Sequence, residues 1–209
     1  MSVLTQIAFF QNRRDEAPNQ ELARELALSN DSEGIREIAE NLHNKNPNIQ
    51  SDCIKVLYEV GYIDPPLIAG YVEEFLDLLH SKHNRLVWGA MITLSTIAVL
   101  KSEAIGARLG EIQRAMESGS VITTDNGVKI LTDVAASSAE YARDILPYLF
   151  NHIAATRAKD IPQHSEKILE AVSADSKKAF IDILQNRMEE LTPAQAARVR
   201  KVITAAEKR

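Results

Sequence analysis

Large and small residues follow one another along the chain in a pattern that returns at a nearly constant interval. The leucines at the centre of each apolar stretch are Leu57, Leu94, Leu131 and Leu169, separated by 37, 37 and 38 residues. The small residues four positions before them are Cys53, Ala90, Gly127 and Ser165. The β-branched residues three positions after them are Val60, Ile97, Val134 and Val172. Apolar residues at offsets of three and four predict an amphipathic helix in each stretch, so the interval predicts a repeated helical unit.

A second series of apolar residues keeps the same interval. Its members are Ile35, Val72, Leu109 and Leu146, each 37 residues from the next. We name the helix with the central leucine the A helix of a unit and the helix of the second series the B helix. One such pair is too small to bury both apolar stripes, so the pairs are expected to stack, with the small residues where A helices cross.

Helix start signals divide the chain into three predicted regions. Residues 1–17 are expected to be an N-terminal capping helix, over 2–12, and a linker; residues 18–191 hold the repeats, and residues 192–209 form a C-terminal capping helix. Ser32 and Ser138 are predicted N-caps, and Asp64-Pro65 opens a B helix that is expected to run to about Ser81. Thr192 and Gln195 have the spacing of a capping box.

These features resemble the HEAT repeats and the related armadillo-like repeats. The resemblance rests on the period, on the small residue before each leucine and on B-helix stretches such as Ile145-Leu146-Pro147-Tyr148-Leu149. It implies an all-α fold, a right-handed α-α superhelix in which a solenoid of about five HEAT-like helix pairs lies between terminal capping helices. It also implies a function as a scaffold that binds a protein or peptide.

The composition narrows the expected partners. The chain carries 29 acidic and 24 basic residues, a formal net charge of −5, which disfavours nucleic acid because phosphate binding needs clustered Lys and Arg. A single cysteine, Cys53, favours a reducing compartment. We find no positively charged leader and no apolar run of the roughly 18 residues that a membrane span needs, and so predict a cytoplasmic protein with no membrane partner.

Polar residues on the outward side of the B helices form the predicted partner-binding site. If Ile68, Val72 and Phe75 point inward, 100° per residue places Glu74 and Asp77 outward. Extended by the period, the site comprises Glu37, Glu40, Glu74, Asp77, Glu111, Arg114, Tyr148 and Asn151. The B helices are expected to line a concave face, where these carboxylates would form an acidic stripe that favours a basic partner. Ordinary solvated helix surface is the alternative interpretation.

Three histidines and the tryptophan are further candidates for a functional role. His43 and His80 lie one period apart and His83 follows, but no cysteine or clear carboxylate completes a metal site, so dipole complementarity at helix ends is preferred. Trp88, the one tryptophan, is either a partner contact or a residue that packs against the preceding helix pair.

The residues two positions before each central leucine are expected to form a solvated convex face. They are Lys55, Ile92, Lys129 and Lys167.

No sequence motif of an enzyme is found. A phosphate loop, a dinucleotide fingerprint, a paired-histidine zinc motif and a nucleophile elbow are all lacking, so no catalytic residue, cofactor or metal is predicted. The alternative is a nucleic-acid-processing enzyme, similar to DNA glycosylases built on such repeats, or a lyase-type enzyme on the same scaffold. Such DNA glycosylases work through a basic channel, which would conflict with the acidic stripe.

Overall fold

The helical periodicity of the sequence is realised in the computed structural model, which describes residues 2–209. Within that range the regular structure is helical and contains no β-strand. The α-helices are α1 (Ala17–Ser29), α2 (Ser32–Glu40), α3 (Pro47–Ile63), α4 (Val72–Asp77), α5 (Asn84–Ile97), α6 (Ser102–Gly106), α7 (Leu109–Ser118), α8 (Val121–Ser137), α9 (Ala139–Ala155), α10 (Ile161–Ile168), α11 (Lys177–Asn186) and α12 (Pro193–Glu207). Short 3₁₀ turns cover Val3–Gln6, Asn41–His43, Pro65–Leu67, Ala69–Tyr71, Leu78–His80, Ala158–Asp160, Leu169–Ala171 and Met188–Glu190.

The chain divides into two compact units, Met1–Gly127 and Val128–Arg209. The boundary falls inside α8. The first unit contains the helices from α1 to α7, and the second contains those from α9 to α12. In residues 2–209 no helix has the length and apolarity needed to span a lipid bilayer.

Three successive A helices begin at the predicted interval. The first residues of α3, α5 and α8 are Pro47, Asn84 and Val121, each 37 positions after the one before. Their central leucines, Leu57, Leu94 and Leu131, are fully buried. The fourth unit is less regular, because Leu169 is half-buried and lies in a 3₁₀ turn. The predicted repeat is therefore confirmed, most closely over α3, α5 and α8.

Small residues allow α3 and α5 to pack closely. Gly89 of α5 lies directly against Ile54, so that a β-carbon there would come within 2.8 Å of Ile54 Cγ2. Gly61 of α3 meets Thr96 and Ile68 in the same way. Cys53 of α3 is completely buried, and burial raises the pKa of its thiol to about 12. It is a packing residue, as its place in the small-residue column predicts.

Two B segments are broken, which corrects the prediction of one continuous helix over 64–81, whereas the B helix predicted to open at Ser138 is continuous as α9. Proline at positions 65 and 66 removes two backbone donors, and the segment forms two 3₁₀ turns before α4 and a third after it. In the next unit α6 ends at Gly106, and Arg108 has the non-helical angles φ −124° and ψ 26° before α7 begins. In these two units the predicted B helix is thus replaced by short helical segments, next to a long A helix.

The chain ends also differ in part from the prediction. The N-terminal helix expected over 2–12 is a 3₁₀ turn, Val3–Gln6, followed by irregular backbone that buries Ile7 but leaves Phe10 49% exposed. The N-cap of α2 is Asp31 rather than Ser32, since the Asp31 side chain accepts a hydrogen bond from Gly34 N at 2.9 Å. The capping box of α12 is confirmed, with both hydrogen bonds between Thr192 and Gln195 present.

Candidate functional site

The glutamates predicted for the B-helix site each have an intramolecular partner. Glu37 accepts hydrogen bonds from Val3 N at 2.9 Å and from the Ser2 hydroxyl. Glu74 Oε1 lies 2.9 Å from His43 Nε2. Glu111 Oε2 lies 2.8 Å from His80 Nε2, so the histidine–glutamate contact repeats after one period. These three carboxylates thus contact the chain itself.

Arg108 gathers the acidic side chains of two successive B segments. Its guanidinium donates to Glu111 from Nε and Nη2 at 2.8 Å each, to Asp77 at 2.8 Å and to Glu73 at 3.2 Å. The hydrogen bonds from Arg108 hold the pKa of Glu111 below its ordinary value, and His80 adds to that shift. Sequence reasoning missed this arginine because it lies in the break between α6 and α7.

The other predicted site residues are more open. Glu40 has a 70% exposed side chain and lies 3.9 Å from Arg36 Nε. Arg114 lines, together with Glu111, a pocket of about 410 Å³ in the first unit. Tyr148 and Asn151 lie on α9 in the second unit, the first half-buried and the second exposed. In the first unit the structure therefore brings Asp77 and Glu111 together around Arg108.

The three histidines of the metal hypothesis have separate partners. His43 contacts Glu74 and His80 contacts Glu111, whereas His83 lies 3.3 Å from Gln50 Oε1 and 3.5 Å from Ser51 Oγ. Across residues 2–209 no group of three or more His, Cys, Asp or Glu side chains is arranged to hold a metal ion.

A groove across the A helices is a feature that the sequence did not reveal. Its volume is about 760 Å³, and it lies entirely within the first unit. Its aromatic and apolar lining consists of Ala8, Phe9, Ile54, Tyr58, Trp88, Gly89, Ile92 and Ile122. Its polar lining consists of Asn12, Arg13, Arg14, Asp15, Glu16, Asn19, Asn48, Ser51, Asp52, Lys55 and Arg85. We call it the A-helix groove; none of the eight predicted site residues lines it.

A buried amide fixes one wall of the A-helix groove. Asn19 of α1 is 1% exposed, accepts a hydrogen bond from Ala8 N at 2.9 Å and donates one to Asp52 Oδ1 at 2.9 Å. The second oxygen of Asp52, on α3, accepts from Phe9 N at 2.7 Å. Because these polar groups satisfy one another, the N-terminal segment is held against α1 and α3.

Lys55 lies in the groove and is only 8% exposed, which corrects the expectation of a solvated side chain at this position of the column; the Lys129 side chain is 45% exposed. Its Nζ is 2.7 Å from a carboxylate oxygen of Glu16 and 2.7 Å from one of Glu59, and 4.8 Å from the centre of the Tyr58 ring. Burial by itself lowers the pKa of Lys55, but the two carboxylates outweigh burial and raise it above its ordinary value. The equivalent residue of the next repeat, Ile92, also lines the groove.

Trp88 stands at the centre of the candidate site. It is half-buried, and it lines both the A-helix groove and the smaller pocket. Its side chain is therefore accessible from two concavities. One turn earlier on α5, Arg85 is exposed and lines the same groove.

Comparisons with known proteins define the fold. No protein-family model matches the sequence, and a search of curated proteins finds no match. Solved structures do match. An engineered protein aligns over 100% of both chains with a TM-score of 0.70 and 15% identity. A designed armadillo repeat protein in complex with the peptide (KR)4 aligns over 90% of this chain and 85% of its own with a TM-score of 0.69 and 14% identity.

Another of these structures is a computationally designed armadillo repeat protein for modular peptide recognition. It aligns over 97% of this chain and 98% of its own, with a TM-score of 0.69 and 11% identity. The chain has an armadillo-like helical repeat fold. The structural similarity establishes the fold of the chain. Sequence identities this low carry no information about its ligand, which has to be argued from its own residues.

Proposed function

We propose that this protein is a non-catalytic armadillo-like scaffold that binds a peptide segment of a partner protein in the A-helix groove. The groove itself is the observation that carries the proposal. Its volume of about 760 Å³ falls within the roughly 300–1,000 Å³ usual for ligand sites.

The chemistry of the groove suits an extended peptide. Tyr58 and Trp88 offer flat apolar surfaces for side chains, with little conformational entropy to lose. Asn48 and Asn12 carry both donors and acceptors, which match the alternating N–H and C=O groups of a peptide backbone. The peptide binding named for two of the designed armadillo proteins of similar fold supports the same class of ligand.

The acidic B-helix surface is a second candidate, for a basic partner. Glu40, Glu73 and Asp77 keep side-chain exposures of 66–70% despite their contacts with arginine. One of the designed proteins of similar fold binds the peptide (KR)4. A basic ligand would have to compete with Arg108 and the two histidines for these carboxylates, so we place this surface second.

Catalysis has less support than binding. Ser51 lies in the groove, 3.5 Å from His83 Nε2, but its hydroxyl donates a hydrogen bond to Pro47 O at 2.7 Å. A serine whose proton is directed at a backbone carbonyl is not activated by the histidine.

We place the scaffold in the cytoplasm. The buried, unpaired Cys53 fits that reducing compartment.

A displayed library of random peptides, selected on the purified protein, tests the proposal. We expect the selected peptides to lose at least about tenfold in affinity for Trp88→Ala and Tyr58→Ala, since aromatic residues dominate binding energy when they are truncated. Tyr62→Ala is the matched control, because Tyr62 lies one turn from Tyr58 on α3, is 60% exposed and does not line the groove. Equal losses for Tyr62→Ala and Tyr58→Ala, or none for Trp88→Ala, would contradict the proposal.

A further inference from the structure

We infer that the A-helix groove selects an acidic peptide, one whose carboxylates lie beside apolar side chains. This inference rests on the proposed function and adds the chemistry of the ligand. It is opposite in sign to the basic partner that the acidic B-helix stripe favours. The inference follows from which side chains of the groove lining already have hydrogen-bond partners and which do not.

The carboxylates of the groove are already satisfied. Asp15 accepts two hydrogen bonds from Arg13, at 2.9 Å from Nε and 2.8 Å from Nη2. Asp52 uses one oxygen for Asn19 and the other for Phe9 N. Glu16 pairs with Lys55 at 2.7 Å. A basic ligand would have to displace one of these partners before it gained an ion pair.

Two arginine side chains of the groove are available to a ligand. Arg14 and Arg85 are exposed and line the groove, and in the part of the chain that the structure describes neither side chain has a hydrogen bond or an ion pair. Each guanidinium presents up to five N–H donors in a planar fork that fits a carboxylate in a bidentate manner. A ligand with carboxylates would thus gain hydrogen bonds without breaking any.

Apolar surface lies next to these free donors. Trp88 is three residues after Arg85 on α5, so the two side chains share a helix face. Ile122, 41% exposed, and Phe9, 37% exposed, lie further along the lining. The groove therefore offers aromatic contacts beside unpaired positive charge, and the complementary segment alternates acidic with apolar residues.

The charge of the whole chain restricts where an acidic peptide can bind. With a net charge of −5, the protein as a whole repels an acidic peptide. Local attraction at Arg14 and Arg85 would then fix both the position and the register of the peptide, because like charge elsewhere disfavours other modes.

Three fluorescein-labelled peptides of equal length test this inference by anisotropy. They share alternating phenylalanine and leucine positions, and carry glutamate, glutamine or lysine at the positions between. We expect the glutamate peptide to bind the wild-type protein at least about tenfold more tightly than either of the others at low ionic strength, with a smaller margin at about 0.5 M salt. The double variant Arg14→Glu and Arg85→Glu should reverse the order of the glutamate and lysine peptides.

Arg24→Glu is the matched control, since Arg24 is exposed on α1 and does not line the groove. It should leave the order unchanged. Equal or tighter binding of the glutamine or lysine peptide, with binding still lost in Trp88→Ala, overturns the acidic preference and leaves the proposed function intact. Tighter binding of an oligothymidylate of similar length overturns it in favour of nucleic acid. Binding of all three peptides that is insensitive to Trp88→Ala contradicts the groove as a peptide site altogether.

Discussion

His80 Nε2 lies 2.8 Å from Glu111 Oε2, and one period earlier His43 Nε2 lies 2.9 Å from Glu74 Oε1. Both contacts join residues 31 positions apart, from the end of one B segment to the next. The repeat thus copies a polar contact as well as an apolar core. In the contact between His80 and Glu111, Arg108 adds two further hydrogen bonds to Glu111.

Removal of Arg108 should raise the pKa of Glu111. Hydrogen bonds from Arg108 are the main cause of its lowered pKa, so Arg108→Ala should move it towards its ordinary value, and His80→Ala should have a smaller effect. A carboxylate with a lowered pKa stabilises the fold above its unfolded pKa and loses that contribution as pH falls through its folded pKa. Carbon-detected NMR titration of the Glu111 carboxyl measures the shift; an unchanged pKa in Arg108→Ala would contradict the contact.

A methyl group at Gly89 should destabilise the first unit. The β-carbon would overlap Ile54, and overpacking costs about 1–3 kcal/mol, more than the roughly 1 kcal/mol that alanine gains over glycine in a helix. Urea unfolding of Gly89→Ala measures the loss of free energy.

Gly70→Ala is the control for this substitution, because no atom lies within 4 Å of a β-carbon built there. It should change the free energy of unfolding by less than about 0.5 kcal/mol. Adding Ile54→Ala to Gly89→Ala should cost less than the two single changes together, since it removes the overlap. Equal stability of Gly70→Ala and Gly89→Ala would refute close contact of α3 with α5.

Asn19 should be needed for the N-terminal segment to stay in place. Asn19→Ala leaves Ala8 N without its acceptor and Asp52 without one donor, at a cost of about 1–3 kcal/mol. We expect faster hydrogen exchange at the amides of Ala8 and Phe9. Gln20→Ala, next to it and exposed, should leave both amides protected; equal exchange in the two variants would exclude a role for the buried amide.

In the second unit, Arg187 should be required for the end of α9. Its Nη1 donates to Ile153 O at 2.8 Å and Ala154 O at 2.7 Å, and its Nη2 donates to Thr156 O at 2.8 Å. Lysine cannot supply this planar fork, so Arg187→Lys should destabilise the unit by about 1–3 kcal/mol. Arg198→Lys, which alters a more exposed pair with Glu166, should cost less than about 1 kcal/mol. Differential scanning calorimetry compares the two variants.

The sequence determines the parts of this fold that repeat. Leu57, Leu94 and Leu131 are spaced by the period, and burial follows because the spacing places each on the inner stripe of its helix. The breaks in the B segments depend on local exceptions, such as the backbone angles at Arg108, which carry no periodic signal. For that reason the repeat is predicted well, whereas its second helix is predicted well for α9 and poorly over 64–81 and 102–118.

The candidate site was harder to predict, because it depends on distances between helices. The outward position of Glu74 and Glu111 follows from helix geometry, but their partners come from other repeats. A signal was present, since His43 and His80 are spaced by the same period as the two glutamates. Nothing comparable marks the groove, which joins Arg14 of the N-terminal segment to Arg85 and Trp88 of α5 through tertiary packing.

Emission from Trp88 tests the central claim most directly, because it is the one tryptophan in the chain and it lines the A-helix groove. Titration with the tryptophan-free glutamate peptide should change its emission saturably, with the same dissociation constant as anisotropy and a weaker one in the double variant of Arg14 and Arg85. Tight binding by anisotropy with no change in Trp88 emission would show that the peptide binds elsewhere and would contradict the account.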